Sequence, residues 1–88
     1  NFHRMELLYT ARFLRSLKKL PEEIQEQVVV VLEVYRADQK HPLLKPHKLS
    51  GKWKGYQAIA AGFHHRIILK VSKQETYCMD IGTHDVYR

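Results

Sequence analysis

The sequence predicts a single α+β domain, in which an N-terminal strand and a helical hairpin pack on a small antiparallel β-sheet. Two stretches in the first half carry apolar residues at helical spacing, and the second half contains stretches that alternate apolar and polar residues. The length of 88 residues fits one domain, residues 1–88. Because the helical pair covers the apolar face of the sheet, we expect the other face to be open to a ligand.

In the first half, Glu6 to Tyr9 predicts a short strand, and Thr10 is the predicted N-cap of the first helix. Pro21 ends that helix and is expected at the first position of a second helix, which runs to about Ala37. The second helix carries one apolar stripe, formed by Ile24, Val28, Val31, Leu32 and Tyr35. The β-branched run from Val28 to Val31 favours a strand locally, but the complete stripe favours the helix.

In the second half, His41 to Lys48 contains two prolines and is predicted to be an extended loop. Three strands are predicted after this loop, at Trp53 to Ala61, Phe63 to Val71 and Glu75 to Ile81. Tight connections are expected at Gly62 and at Ser72 to Gln74.

Charge is distributed unevenly along the chain. The formal net charge is +6, and no Asp or Glu occurs between Asp38 and Glu75. That acid-free stretch contains seven lysines, one arginine and four histidines. It predicts a positive surface that attracts polyanions, although a solvated basic surface without a specific ligand is the alternative.

Other features narrow the class of protein. The single cysteine, Cys78, cannot form an intramolecular disulfide and is expected to be a small buried residue. No apolar stretch reaches the ~20 residues of a membrane span, so we expect a cytoplasmic protein without a membrane partner. Met5 is a candidate natural start, which would make residues 1–4 foreign to the natural protein.

The sequence shows no motif for a metal or an organic cofactor, and we expect neither. His64 and His65 are adjacent, and adjacent strand residues project to opposite faces, so both cannot bind one ion in regular geometry. No glycine-rich phosphate loop precedes a helix. The remaining histidines, lysines and arginine suit RNA cleavage by the 2′-hydroxyl, which requires a base, an acid and a cation that stabilises the phosphorane-like transition state.

The candidates for this chemistry are His47, His65 and His84 as acid or base and Arg66 as the phosphate ligand. Two of them have a stated structural alternative: a loop cap for His47, and a surface strand residue for Arg66. Tyr87 could stack on a nucleobase or cover the end of the sheet. Backbone contacts to RNA are expected from the lysines of the basic stretch, Lys45, Lys48, Lys52 and Lys54.

The segment from Leu43 to Arg88 resembles bacterial and archaeal toxins of the RelE/ParE superfamily, and the RelE/YafQ branch is the most similar. The residues that carry the resemblance are His47-Lys48-Leu49-Ser50-Gly51, Gly55, Arg66-Ile67-Ile68 and Ile81-Gly82-Thr83-His84-Asp85, with Tyr87 behind them. The helical hairpin with its Leu20-Pro21 junction also fits.

The resemblance implies a RelE-like fold and the toxin of a type II toxin–antitoxin system. It implies a ribosome-dependent, metal-independent endoribonuclease that cleaves mRNA, leaves a cyclic phosphate and inhibits translation. It also implies site residues on the open sheet face: His47, His65, Arg66, His84 and the C-terminal aromatic Tyr87. Ala58 and Ala60 stand where relatives often carry a polar side chain.

Two alternatives remain open from the sequence: a non-enzymatic ParE-like toxin that binds DNA gyrase, and a basic binding module that is neither. The implied partners are a cognate antitoxin, the ribosome and mRNA. We expect the chain to be a monomer alone and to form a hetero-oligomer with its antitoxin.

Overall fold

The computed structural model describes residues 5–83 and residue 86. These residues form five strands and two α-helices: β1 Glu6–Tyr9, α1 Ala11–Lys18, α2 Glu22–Ala37, β2 His47–Lys48, β3 Gln57–Ala61, β4 His65–Val71 and β5 Glu75–Gly82. The strand order in the sheet is β1-β5-β4-β3-β2. β1 is parallel to β5, and the other neighbours are antiparallel. The predicted α+β class is confirmed, with a mixed sheet instead of a purely antiparallel one.

The start of α1 follows the prediction from the sequence. The Thr10 hydroxyl accepts a hydrogen bond from the backbone N–H of Phe13 at 3.0 Å, which satisfies a donor that the helix cannot pair internally. The same hydroxyl donates to backbone carbonyls of β5, at Cys78 and Met79. Pro21 is the N-cap of α2 and not its first helical residue as predicted, because its extended backbone (ψ 149°) is not helical.

Both helices pack on one face of the sheet. Phe13 of α1 and Val28 and Tyr35 of α2 belong to the same buried cluster as Ile59 of β3 and Ile67 of β4. The predicted stripe of α2 is confirmed, since four of its five residues are buried and Ile24 packs against the cluster. Neither helix in the described ranges is long and apolar enough to cross a membrane.

The segment between α2 and β3 differs from the prediction. It contains a 3₁₀ turn at Pro42–Leu44, closed by the His41 ring, which accepts from Leu43 N–H at 3.0 Å. The two-residue strand β2 follows where an extended loop was predicted. A second 3₁₀ turn, Gly51–Trp53, occupies the start of the first predicted strand.

β3 and β4 begin later than predicted. The backbone of Gly55 (φ +92°) turns the chain just before β3, so alternation of residue types alone extended this strand too far. The β3–β4 hairpin turn extends to His64 instead of ending at Gly62. β5 is longer by one residue, because Gly82 still pairs with β4.

Candidate nucleic-acid interface

The strand register places His47 and Arg66 on the same face of the sheet. His47 lies opposite Ala58, and Ala58 lies opposite Ile68 on β4. Arg66 lies opposite Ala60. Directly opposed residues project to one face, as do residues two apart on a strand, so all five side chains share that face. Two strand spacings and a two-residue offset put the Cα atoms of His47 and Arg66 about 12 Å apart.

This face is the one turned away from the helices. The intervening residues Ile59, Ile67 and Leu69 project to the other side, where they join the hydrophobic core with α1 and α2. We call the side of His47 and Arg66 the open face. It is the face on which the sequence predicted a ligand.

The side chains that lie between these two basic residues on the open face are apolar. Ala58 and Ile68 are fully buried and Ala60 is nearly so, whereas His47 is exposed and Arg66 half-buried. The two alanines therefore supply no proton donor or acceptor from their side chains. On the open face, an imidazole ring thus lies on edge strand β2 and a guanidinium on β4, with covered apolar side chains between them.

The Arg66 guanidinium is held by a local hydrogen bond. Its Nη1 donates to the backbone carbonyl of His65 at 2.9 Å. A guanidinium has five N–H donors in a planar fork, so this one bond leaves donors for a phosphate. On β2, the His47 ring lies with its Nδ1 3.4 Å from the carbonyl of Lys45.

Val86, which follows the end of β5, lies beside this site and was not predicted from the sequence. Gly82 lies opposite Arg66, and a Cβ on Gly82 would be 3.1 Å from the Val86 Cβ. The Val86 N–H donates to the carbonyl of Thr83 at 2.9 Å, so the chain turns back beside Arg66. A glycine inside a strand is the sequence signal for such a close approach.

Two predicted site residues, His84 and Tyr87, lie outside the described residues.

His65 does not join His47 and Arg66. It lies opposite Ala61, whose side chain belongs to the helix-side core. His65 therefore projects to the helix side of the sheet, as alternation along β4 requires. Its neighbour His64 lies in the hairpin turn, where its ring centroid is 6.5 Å from that of Phe63.

The four lysines predicted to bind RNA are all exposed and lie in the segment that leads into β2 and β3. Lys45 has a left-handed backbone (φ +46°), which ends the first 3₁₀ turn. Lys48 follows His47 on β2, whereas Lys52 and Lys54 lie in and after the second 3₁₀ turn. By alternation along β2, Lys48 projects to the face opposite to that of His47. No carboxylate occurs in the sequence between Lys45 and Lys54.

Cys78 is buried in the core, as predicted. Burial raises the pKa of its thiol to about 12, because a thiolate would lose its hydration there. The thiolate is the reactive form, so this cysteine is not a nucleophile at neutral pH. Among the described residues, no group of three His, Cys, Asp or Glu side chains could hold a metal ion.

Solved structures of bacterial toxins share this arrangement of strands and helices. YafQ from E. coli matches with a TM-score of 0.71 at 17% identity, over 96% of this chain and 98% of that one. The YoeB/ParE toxin from Agrobacterium tumefaciens matches with a TM-score of 0.76 at 20% identity, over 91% and 99%. The toxin–antitoxin complex RelBE2 from Mycobacterium tuberculosis matches with a TM-score of 0.77 at 16% identity, over 92% and 99%.

The chain has the RelE/ParE toxin fold. The match covers nearly the full length of each structure, so the RelE/ParE fold accounts for both helices and the whole sheet. At these identities the likeness concerns the fold and not the chemistry. No protein-family model and no curated protein sequence matches the chain.

Proposed function

We propose that this chain is the toxin of a type II toxin–antitoxin system and that it cleaves mRNA on the ribosome. One observation carries the proposal: His47 and Arg66 share the open face of a RelE/ParE fold, at the edge of an acid-free basic segment. A negatively charged polymer is the natural ligand of such a face. Translating ribosomes and mRNA are cytoplasmic, and the proposal places the toxin there.

In the proposed reaction the RNA supplies its own nucleophile. The 2′-hydroxyl oxygen bonds to the adjacent phosphorus while a base accepts the hydroxyl proton. The bond from phosphorus to the 5′-oxygen breaks, and an acid protonates that leaving oxygen. The products are a 2′,3′-cyclic phosphate and a 5′-hydroxyl, so no further reactant is consumed.

Arg66 holds the scissile phosphate and stabilises the charge that accumulates on its oxygens, because a guanidinium fork matches two of these oxygens. His47 and His84 share the roles of base and acid, with the assignment between them open, since an imidazole changes protonation near neutral pH. His65 belongs to this set in the sequence-based hypothesis, but its position on the helix side gives it at most an indirect effect. Tyr87 is proposed to stack on a base.

The lysines of the basic segment are proposed to bind the RNA backbone and to supply affinity instead of chemistry. An antitoxin is the proposed protein partner. It is supported by the similarity of the fold to toxins solved as toxin–antitoxin complexes, the E. coli DinJ–YafQ pair and RelBE2.

The experiment is a reconstituted translation reaction with a defined mRNA. The wild-type chain is expected to cut the mRNA only when ribosomes are present and to leave a cyclic phosphate end. Arg66→Ala is expected to abolish the cut, whereas Arg15→Ala, an exposed arginine on α1, should cut like wild type. Equal cutting by both variants would contradict the site.

A ParE-like toxin that binds DNA gyrase is the second candidate. It is favoured by the similarity to the YoeB/ParE toxin and needs no acid–base residues. Expression in cells separates the two, because a gyrase inhibitor induces a DNA-damage response while mRNA stays intact. A ribonuclease would instead cleave the mRNA and stop translation before any DNA-damage response.

A further inference from the structure

An apolar groove lies between α2 and the β3–β4 hairpin. Its volume is about 540 Å³. Three exposed apolar side chains line it: Val30 is 59% exposed, Leu43 57% and Phe63 93%. Solvent exposure of three large apolar side chains around one groove is typical of a protein interaction site.

The groove contains a strand edge that no other strand of the described residues covers. The Leu49 N–H donates to the Tyr56 carbonyl at 3.0 Å, so the polar groups of Tyr56 point toward β2. In an antiparallel ladder, the polar groups of alternate residues point to the same neighbour. The N–H and C=O of Ala58 and Ala60 therefore also point toward β2. Ala58 is paired there with His47, but β2 begins at His47 and does not reach Ala60.

The local sequence keeps this edge open. If β2 continued backward in the same register, Lys45 would lie opposite Ala60. The left-handed backbone of Lys45 (φ +46°) turns the chain away instead. Ala60 lines the groove, so its open backbone edge and the apolar side chains face the same space.

We propose that an extended segment of the antitoxin binds in this groove and pairs with the backbone of Ala60 as an added strand. A strand satisfies an open edge by main-chain hydrogen bonds, and alternate side chains then enter the adjacent pocket. Here they would pack against Val30, Leu43 and Phe63. The proposal rests on the proposed function, since that function supplies the antitoxin.

The charges around the groove define the segment further. Glu23 and Glu26 of α2 lie along one wall, and Lys45 lies at the other. The groove is thus acidic on its helix side, in a chain of net charge +6. We infer that the bound segment carries a Lys or Arg beside its apolar residues, facing Glu23 and Glu26. An acidic segment suits the basic open face and not this groove.

The experiment uses the complex of this chain with a candidate antitoxin, sought in a small open reading frame next to its own gene, co-expressed and purified together. Hydrogen exchange of the Ala60 amide is measured in the free chain and in the complex. We expect the amide to exchange at least tenfold more slowly in the complex. Amides at the N-terminus of α1, which does not line the groove, provide the internal reference.

Adjacent residues on α2 provide matched variants for binding. Val30 lines the groove, whereas Val29, which is 63% exposed, does not. Val30→Asp is expected to weaken the complex by about tenfold or more, as truncation of an interface anchor does. Val29→Asp is expected to leave affinity unchanged, although it has the same cost to the helix. Likewise Glu23→Lys should weaken binding more than Glu22→Lys, because Glu23 lines the groove and Glu22 does not. The two variants are matched, since both residues lie in the first turn of α2.

The outcomes separate this inference from the proposed function. If the two proteins form no complex and the chain does not inhibit growth, the proposed function fails. If the complex forms but Ala60 exchanges unchanged and Val30→Asp binds like Val29→Asp, the groove assignment is wrong and the toxin assignment stands. A dimer of the chain alone that Val30→Asp disperses would instead assign the groove to a second copy and overturn the inference.

Discussion

Tyr35 of α2 and Thr76 of β5 share a hydrogen bond of 2.8 Å between their side-chain oxygens, and both residues are fully buried. The bond joins the longest helix to the strand that leads to the open-face site. In a domain of this size, one such bond is a sizeable part of the net stability.

Removing both partners of this pair is expected to cost less than the sum of the two single removals. Tyr35→Phe leaves the Thr76 hydroxyl buried without its partner, and Thr76→Val does the same to Tyr35, at about 1–3 kcal/mol each. The double variant leaves no orphan, so its loss should be smaller than the sum of the two. Urea denaturation of all four proteins measures the coupling. Additive losses would show that the bond contributes no net stability.

The buried carboxylate of Asp80 on β5 accepts hydrogen bonds from side chains of α1. The Asp80 carboxylate accepts from Ser16 Oγ at 2.7 Å, from the Ile81 N–H at 2.8 Å and from Arg12 Nε at 3.0 Å. Its side chain is 8% exposed, whereas that of Arg12 is 65% exposed. Asp80 precedes Gly82 by two residues, and Gly82 lies opposite Arg66. The hydrogen bonds of the Asp80 carboxylate therefore hold the end of β5 in place beside Arg66.

The two partners of this ion pair should differ sharply in their effect. Asp80→Ala removes three hydrogen bonds and leaves buried donors unpaired, at about 3 kcal/mol. Arg12→Ala is expected to cost less than about 1 kcal/mol, because an exposed ion pair is screened and the other two donors remain. Thermal unfolding of both variants measures the difference. Equal losses would mean that the ion pair, and not the hydrogen-bond set, stabilises β5.

The sequence predicts the helical half of this fold well because its signals are local. The hydroxyl of Thr10 caps the next turn, and the stripe from Ile24 to Tyr35 needs only the helical period. The helix α2 starts one residue later than predicted, since Pro21 suits both the first helical position and the residue before it. The bounds of β1 also follow from a local pattern.

The sequence predicts the sheet and the site less well because both depend on partners far along the chain. β3 starts at Gln57 and not at Trp53, because the left-handed turn at Gly55 overrides the apolar pattern. The parallel pairing of β1 with β5 has no local signal. Residue types singled out His47 and Arg66, but only the register shows that these two share a face and that His65 does not.

This register makes a prediction for the histidines. His47→Ala is expected to lower the rate of mRNA cleavage by about 100-fold or more, as the loss of a general acid or base does. His65→Ala should stay close to the wild-type rate, since its side chain projects to the helix side. Single-turnover cleavage on ribosomes measures both. A large loss in His65→Ala with normal thermal stability would assign it a role that its position in the sheet does not suggest.

The basic segment makes a prediction about salt. For a single-stranded RNA with 2′-O-methyl groups, which cannot be cleaved, affinity should fall steeply as the salt concentration rises. Replacing Lys52 or Lys54 by Gln should reduce the slope of log K against log[salt] by about 0.7 for each phosphate that the protein no longer neutralises. Lys18→Gln on α1 removes the same charge away from the open face and is expected to leave the slope unchanged. Equal slopes for all three variants would indicate binding by net charge alone.

The buried thiol makes a prediction about alkaline pH. The pKa of Cys78 is raised by burial to about 12 in the folded chain, from an ordinary value of 9.0. Between these values the unfolded chain binds fewer protons than the folded one, so the free energy of unfolding should fall as pH rises above 9. The contribution of this group is at most about 1.4 kcal/mol per pH unit. Burial also raises the pKa values of Tyr9 and Tyr35, which act in the same direction. Cys78→Ala keeps both tyrosines and is therefore the control, and its loss of stability above pH 9 should be shallower. If the free energies of unfolding of the two proteins fall in parallel above pH 9, the core does not raise the pKa of the Cys78 thiol.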